Sequence, residues 1–144
     1  IAGSKGGMVV GTGNKVEDFG IGFFTKYGDG GVDISPIADL YKTEVWELGK
    51  YLGVDQRIID ATPTDGLWDD GRTDEDQIGA SYEDLEWVME SRIVNNNHNY
   101  LECESWKGEV ITPQLKTAIK VFAQYNKQNK HKMVNVPIFQ FNQL

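Results

Sequence analysis

The run from Gly11 to Glu17, Gly-Thr-Gly-Asn-Lys-Val-Glu, combines residue types that suit a phosphate-bearing ligand. Glycines let a backbone approach a ligand closely and point its N–H groups at an anion. Thr12 adds a hydroxyl, and the Glu17 carboxylate suits a hard cation such as Mg²⁺. Spacing alone favours a simpler interpretation, a tight turn into a helix whose first turn carries an acid. The run lacks the third glycine of a dinucleotide-binding fingerprint.

A second cluster extends from Phe23 to Asp33 and contains two phenylalanines, Lys26, three glycines and two carboxylates. A glycine-rich backbone flanked by a cation and carboxylates suits a polar ligand that carries phosphate. The alternative is a surface loop anchored by its phenylalanines. Composition alone leaves both interpretations open.

Other polar residues carry weaker signals. Lys42 lies in a predicted helix, where lysines usually face solvent, and Thr64 after Pro63 is typical of a turn. A basic run near the end favours a solvated terminus but leaves room for an anionic ligand; it contains Lys127, Lys130, His131 and Lys132. Gly3–Gly7 resembles a phosphate-binding loop, but it lacks the Gly-Lys-Ser/Thr order and precedes a strand.

The elements that must position these residues are predicted from apolar spacing and end signals. Met8–Val10 is a short apolar run between glycines, typical of a buried strand of a parallel sheet. Ser35, Pro36 and Gly53 have the types expected at the start and end of a helix. We expect further helices over 54–61, over 82–92 after Ser81, and from Thr112-Pro113, with loops over 62–76, 95–99 and 130–144. One strand followed by helices suggests half of an open α/β sheet, with ligands bound beyond the strand.

Composition limits the class of protein. The chain has 144 residues, enough for one modest domain, and a net charge of −8 that argues against a general nucleic-acid binder. No apolar run reaches the roughly 20 residues of a membrane helix. A single cysteine, Cys103, cannot form an internal disulfide and fits a cytoplasmic location. Because the chain starts at Ile1 without Met, we expect it to be a fragment of a longer protein.

In this order the motifs resemble those of the NAD synthetases. The resemblance rests on Gly11–Lys15 with Glu17 and on Gly22–Gly31, Gly-Phe-Phe-Thr-Lys-Tyr-Gly-Asp-Gly-Gly, followed by Asp33. It is strong from Val9 to Trp87 and weak from Ser91 to Gln128. The resemblance implies an α/β fold of the ATP-pyrophosphatase type, an open, mainly parallel sheet flanked by helices. Residues 1–144 would form the C-terminal part of one synthetase domain.

The resemblance also implies a reaction in two steps. The nicotinate carboxylate of deamido-NAD attacks the α-phosphate of ATP, and ammonia then displaces AMP to give the amide of NAD. The ammonia-fed type is the closer resemblance. The matching positions are Thr12, Lys42 and Thr64 for ATP, Glu17 for Mg²⁺, and Lys26, Asp33, His131 and Lys132 for deamido-NAD.

Two departures from the family pattern affect this interpretation. The Ser-Gly-Gly-x-Asp-Ser loop that cradles the ATP phosphates is absent, so we expect it upstream of Ile1 and expect this piece alone to be inactive. Asn95–Trp106 fits no family pattern and is interpreted as a peripheral insertion. The resemblance implies a homodimer for the full-length protein. Two alternatives stay open: another adenylating ligase of the same fold, and a non-catalytic nucleotide-binding module.

Overall fold

Helices are the main regular elements of the computed structural model, which describes residues 1–96 and 99–138. Among these residues the helices are α1 (Lys42–Tyr51), α2 (Gln56–Ile59), α3 (Asp74–Ile78), α4 (Tyr82–Ser91), α5 (Ile93–Asn96) and α6 (Pro113–Asn129). A 3₁₀-helix spans Gly3–Lys5 and a π-helix spans Val16–Ile21, while β1 (Ser105–Trp106) and β2 (Glu109–Val110) form an antiparallel hairpin.

The core lies where α4, α6 and the π-helix pack together. Each contributes fully buried apolar side chains, among them Leu85 from α4, Ile119 from α6 and Ile21 from the π-helix. Burying side chains of this size stabilises each element by about 1.5–3 kcal/mol per residue. This core holds in place the helices that carry the candidate functional site.

Two predicted helices are confirmed together with their first residues. Ser81 Oγ accepts a hydrogen bond from the Asp84 N–H at the start of α4 (3.2 Å). Thr112 Oγ1 does the same for the Leu115 N–H at the start of α6 (3.2 Å). Such caps satisfy backbone donors that have no partner inside the helix. The predicted helix over 54–61 is present as α2.

The C-terminal end of the π-helix is capped by side chains from α6 and the residues after it. Three donors at intervals of three residues reach three successive carbonyls: Asn126 Nδ2 to Gly20 O (2.8 Å), Asn129 Nδ2 to Ile21 O (2.9 Å) and Lys132 Nζ to Gly22 O (3.0 Å). These carbonyls have no partners of their own in the helix, so the side chains supply them. The contacts tie the start of the chain to its last helix.

The predicted helix from Ser35 to Gly53 is correct at its end and wrong at its start. Residues 36–39 form turns and α1 begins only at Lys42. The Leu40 carbonyl accepts from the Lys15 N–H (2.8 Å), which draws this stretch towards the π-helix. The start of α1 is instead fixed by the buried Glu86 carboxylate of α4, which accepts from the Thr43 N–H (3.1 Å) and hydroxyl (2.7 Å).

The predicted buried strand Met8–Val10 is wrong for the described residues. Its side chains are 60%, 45% and 53% exposed, and Val10 makes only an isolated parallel bridge to Ile34. A parallel strand needs neighbours on both faces to be buried, and none of the described segments supplies them. The open parallel sheet is therefore not seen in residues 1–96 and 99–138, where the sheet present is the β1–β2 hairpin.

Two of the three predicted loops need correction, and two of them extend beyond the described residues. The loop over 62–76 ends early, because α3 begins at Asp74 after a Thr73 cap that accepts from the Asp76 N–H (3.0 Å). Asn95 and Asn96 belong to α5, and residues 97 and 98 of that predicted loop lie outside the described residues. The tail is irregular over 130–138, and its remainder also lies outside them.

The stretch interpreted as a peripheral insertion is attached to the core in its described part. Trp106 packs against the core, and its Nε1 donates to the Ser91 carbonyl at the end of α4 (3.1 Å). Trp87 Nε1 donates to the Glu109 carboxylate on the other strand of the hairpin.

No helix in the described part of the chain is long and apolar enough to cross a membrane.

Candidate functional site

The Glu17 carboxylate and the Lys42 ammonium, 25 positions apart in sequence, form an ion pair. Lys42 Nζ lies 3.3 Å from Glu17 Oε1, and the two side chains are only 19% and 15% exposed. The same oxygen accepts a hydrogen bond of 2.6 Å from the Tyr82 hydroxyl. Glu17 Oε2 is hydrogen-bonded by none of the described residues and is not enclosed. One oxygen of the carboxylate is therefore held in place while the other is open.

A second carboxylate, Asp74, lies on the far side of Tyr82. Its Oδ2 is 3.4 Å from the Tyr82 hydroxyl, and its buried Oδ1 has no hydrogen-bond partner in the described part of the chain. Burial, and then the nearby charge of Glu17, raises the pKa of the Asp74 carboxyl. The same two causes raise the pKa of Tyr82, so its hydroxyl keeps its proton and acts as a donor to Glu17.

All four side chains of this Glu17 cluster (Glu17, Lys42, Asp74 and Tyr82) come from the beginnings of helices. Lys42, Asp74 and Tyr82 are the first residues of α1, α3 and α4, and Glu17 lies in the first turn of the π-helix. Asn14 fixes that turn, since its buried Oδ1 accepts from the N–H groups of Val16 (3.0 Å) and Glu17 (3.2 Å). Helix beginnings present free N–H groups and favour negative charge.

Thr64 and Thr12 lie apart from this ion pair. The Thr64 hydroxyl is exposed and donates to the Arg72 carbonyl (3.1 Å), which closes the loop that leads into α3. At the neck of that loop the Asp74 N–H donates to the Pro63 carbonyl (3.0 Å). Thr12 is exposed between two glycines.

The two glycines beside Thr12 are closely packed inside the protein, so that a side chain at either position would force a neighbouring side chain to move. A Cβ on Gly11 would lie 2.9 Å from the Ser35 hydroxyl oxygen, and one on Gly13 would lie 2.3 Å from an Asp18 carboxylate oxygen. Both distances are shorter than real Cβ contacts allow. The turn interpretation of Gly-Thr-Gly therefore accounts for the glycines without a ligand.

Three of the four residues predicted to contact deamido-NAD line one cavity of about 560 Å³. Lys26, Asp33 and Lys132 lie on its wall together with Gly11 and Gly13. The fourth, His131, has an exposed side chain that is not part of the lining. Thr12, Glu17, Lys42 and Thr64 are not part of it either. The structure thus forms two groups, the Glu17 cluster and this cavity, which meet at the adjacent residues Glu17 and Asp18.

Each of the two lysines of the cavity donates hydrogen bonds to backbone carbonyls of the segment that carries the other lysine. Lys26 Nζ donates to the carbonyls of His131 (2.6 Å) and Val134 (3.0 Å). Lys132 Nζ donates in the other direction, to the carbonyls of Gly22 (3.0 Å) and Phe24 (2.8 Å). Neither lysine forms an ion pair with an acid of the described residues. The cavity therefore carries two cations that can attract an anionic ligand, beside the carboxylates of Asp18, Asp29 and Asp33 in its lining.

Three residues of the site are missing from the sequence-based prediction. Tyr82 has a usable signal, since a tyrosine on the buried stripe of a helix needs a partner for its hydroxyl. Asp74 has none, because an acid in the first turn of a helix is commonplace. Asp18 lines the cavity, and burial, followed by the charges of Glu17 and Asp29, raises the pKa of its carboxyl to about 6.

Comparison with known proteins shows the class to which this fold and site belong. The NAD synthase family model matches residues 1–136, so the chain belongs to the NAD synthase family. It is 56% identical over 85 residues to the NH(3)-dependent NAD(+) synthetase of Methanococcoides burtonii, covering 59% of this chain and 32% of that protein. It is 41% identical over 139 residues to the synthetase of that name from Sulfurisphaera tokodaii, covering 94% and 46%. The chain thus spans a third to a half of these relatives.

Two solved structures resemble the fold. The NMN synthetase from Francisella tularensis superposes with a TM-score of 0.75 at 31% identity, over 97% of this chain and 50% of that one. The NH3-dependent NAD synthetase from Campylobacter jejuni, in complex with the nitrate ion, superposes with a TM-score of 0.59 over 96% and 48%. At 24% identity the second match supports the fold alone. Both agree with an ATP-pyrophosphatase-type fold.

Proposed function

We propose that the full-length protein amidates deamido-NAD to NAD, using ATP and ammonia and releasing AMP and pyrophosphate. The observation that carries the proposal is the Glu17–Lys42 pair at the beginnings of two helices, in a chain that the NAD synthase family model matches over residues 1–136. The chain is one part of that enzyme. The remaining ATP-phosphate contacts would come from the loop expected upstream of Ile1.

The chemistry explains why such a pair is needed. A carboxylate does not accept ammonia until one of its oxygens becomes part of a good leaving group. Attack of that oxygen on the α-phosphate of ATP releases pyrophosphate, and ammonia then displaces AMP. Negative charge accumulates on phosphate oxygens in the first step, so cations and aimed N–H groups must offset it. Lys42 is the proposed cation, with Thr12 and Thr64 proposed as further ATP contacts.

Glu17 is the proposed Mg²⁺ ligand, and its environment fits that ion. Mg²⁺ keeps several waters and takes one or two protein carboxylates together with phosphate oxygens. Glu17 offers one open oxygen, Oε2. The described residues contain no group of three or more acids, histidines or cysteines that could hold a metal ion, so the proposal rests on this one carboxylate. When bound, Mg²⁺ would neutralise charge on the ATP phosphates.

The cavity beside this pair is the proposed place for the dinucleotide. Lys26 and Lys132 are cations within it, and Asp33 is anchored there because its Oδ2 accepts from the Val9 N–H (2.8 Å). Binding of the deamido-NAD phosphates would exchange the carbonyl partners of the lysines for anionic oxygens, which form stronger hydrogen bonds. His131, next to Lys132, is proposed as a further contact. We also propose that the full-length protein is a cytoplasmic homodimer.

A second acceptor is favoured by one specific comparison. The structure with the higher TM-score, 0.75 against 0.59, is named an NMN synthetase. By the same chemistry we propose nicotinate mononucleotide as a second acceptor for the full-length protein, because it presents the same carboxylate on a smaller, monophosphate substrate. The second candidate function is therefore amidation of the mononucleotide.

The test uses the full-length protein with ATP, Mg²⁺ and ammonium, offering deamido-NAD and nicotinate mononucleotide separately. We expect NAD and AMP in equal amounts from deamido-NAD, with a higher kcat/KM than for the mononucleotide. The reverse order of kcat/KM would establish the second candidate. Glutamine in place of ammonium tests the nitrogen donor. No amide from either acceptor would contradict both functions.

A further inference from the structure

Tyr82 places its hydroxyl between the two carboxylates of the Glu17 cluster. The Tyr82 side chain is 1% exposed, and its oxygen lies 2.6 Å from Glu17 Oε1 and 3.4 Å from Asp74 Oδ2. The motifs that carry the resemblance to the NAD synthetases do not include this residue. A buried hydroxyl that donates to a functional carboxylate can control where that carboxylate points.

The Tyr82 ring is itself held from several sides. Trp46 packs edge-on against it with ring centroids 6.2 Å apart, and Lys42 Nζ lies 5.0 Å from its centroid. Its backbone N–H donates to the Glu75 carboxylate (2.9 Å). The hydroxyl therefore has little freedom, and a fixed donor fixes its acceptor.

The two donors on Glu17 share one oxygen and leave the other open. Lys42 Nζ and the Tyr82 hydroxyl both bind Oε1, so Oε2 is the oxygen that remains for a cation. We infer that Tyr82 is a positioning residue, which orients Glu17 so that Oε2 meets a divalent cation bound with ATP. This inference rests on the metal-binding role proposed for Glu17. Partners that orient a metal ligand typically change metal affinity by about 10–100-fold when they are removed.

The test compares Tyr82→Phe with Tyr125→Phe in the full-length protein. Phenylalanine keeps the ring against Trp46 and removes only the hydroxyl. Tyr125 is the matched control, because its half-buried hydroxyl donates to the Gln77 carbonyl (3.2 Å) and contacts no carboxylate. Mn²⁺ binding is measured by electron paramagnetic resonance with α,β-methylene-ATP present, and product formation is measured against Mg²⁺ concentration.

We expect Tyr82→Phe to weaken Mn²⁺ binding and to raise the half-saturating Mg²⁺ concentration, each by about tenfold, while Tyr125→Phe changes neither. Adding Glu17→Gln to Tyr82→Phe should cost no more than Glu17→Gln alone, since the hydroxyl acts through that carboxylate. Unchanged Mn²⁺ binding in Tyr82→Phe, equal losses in both tyrosine variants, or unfolding of Tyr82→Phe would overturn the inference. Mn²⁺ binding decides this question even when no amide product forms, so the proposed function is judged separately.

Discussion

At the scale of single residues, the proposed chemistry depends on Glu17. Its carboxylate is half-buried, paired with Lys42 and open at one oxygen, which distinguishes it from the exposed acids of this chain. Sequence spacing favoured a plain helix-turn acid here, and the resemblance to NAD synthetases favoured a metal ligand. The ion pair shows that the carboxylate has a specific partner in Lys42, and its role as a metal ligand stays a prediction.

Glu17→Ala in the full-length protein should lower kcat at saturating ATP by about 100-fold, because the proposed ligand of the Mg²⁺ ion that offsets negative charge on the α-phosphate is lost. Its residual activity should also depend less on Mg²⁺ concentration. Steady-state assays over a Mg²⁺ series measure both effects. Glu47→Ala is the control, since Glu47 is an exposed acid on α1. Near-normal turnover in Glu17→Ala would remove this residue from the metal site.

Asp18 should make stability depend on pH. Its pKa is about 6 in the folded chain against an ordinary value of 3.8, so folding favours the protonated form. The stability linked to this group is fully present below pH 4 and is lost as the pH rises to about 6. Asp18→Asn should therefore raise the free energy of unfolding above pH 6 by about 1 kcal/mol, after discounting for solvent screening.

Urea unfolding of the full-length protein at pH 4.5 and pH 7.5, with exposed Asp69 replaced by Asn as the control, measures this difference. The gain from Asp18→Asn should shrink at the lower pH. An equal effect at both pH values would show that the Asp18 carboxyl is not destabilised by burial.

At the scale of elements, the π-helix is held by the residues of α6 that cap its last carbonyls. Asn129→Ala removes the donor to the Ile21 carbonyl, which lies beside fully buried side chains. We expect a loss of about 1 kcal/mol in the free energy of unfolding, the usual contribution of one such hydrogen bond. Chemical denaturation measures it, and Lys127→Ala, an exposed change on the same helix, should have almost no effect. Equal stability of the two variants would contradict the capping role.

The same scale shows what sequence reasoning could and could not predict. Helix starts marked by a local side-chain cap, at Ser81 and Thr112, were predicted correctly because the capping oxygen and the N–H group that donates to it lie three residues apart. The start of α1 was predicted wrongly because Tyr41 is not a usual capping residue and because part of the cap comes from a distant residue, Glu86. The local part is the Glu44 carboxylate, which accepts from the Tyr41 N–H (2.7 Å). The Glu17–Lys42 contact followed neither from spacing nor from the family resemblance, because its two residues lie 25 positions apart and the resemblance gave them separate roles. Spacing predicts a turn at Gly-Thr-Gly, and the close packing around its two glycines agrees with that prediction.

At the scale of the whole molecule, one core positions both groups of the site. The π-helix carries Glu17, α4 carries Tyr82, and the residues after α6 carry Lys132. Because these three elements pack on one another, the Glu17 cluster and the cavity have a fixed relation. The chain has a net charge of −8, yet Lys26, Lys42 and Lys132 lie at the site, so attraction of anions is local.

The central claim is that this site activates a carboxylate by transfer of AMP. The claim can be tested by following the carboxylate oxygens of deamido-NAD into the products. The full-length protein is given ATP, Mg²⁺, ammonium and deamido-NAD labelled with ¹⁸O in its nicotinate carboxylate. The oxygen that attacks the α-phosphate leaves with AMP when ammonia displaces it. Mass spectrometry should therefore find one ¹⁸O in each AMP released. Unlabelled AMP, or ADP and phosphate in place of AMP and pyrophosphate, would contradict the account.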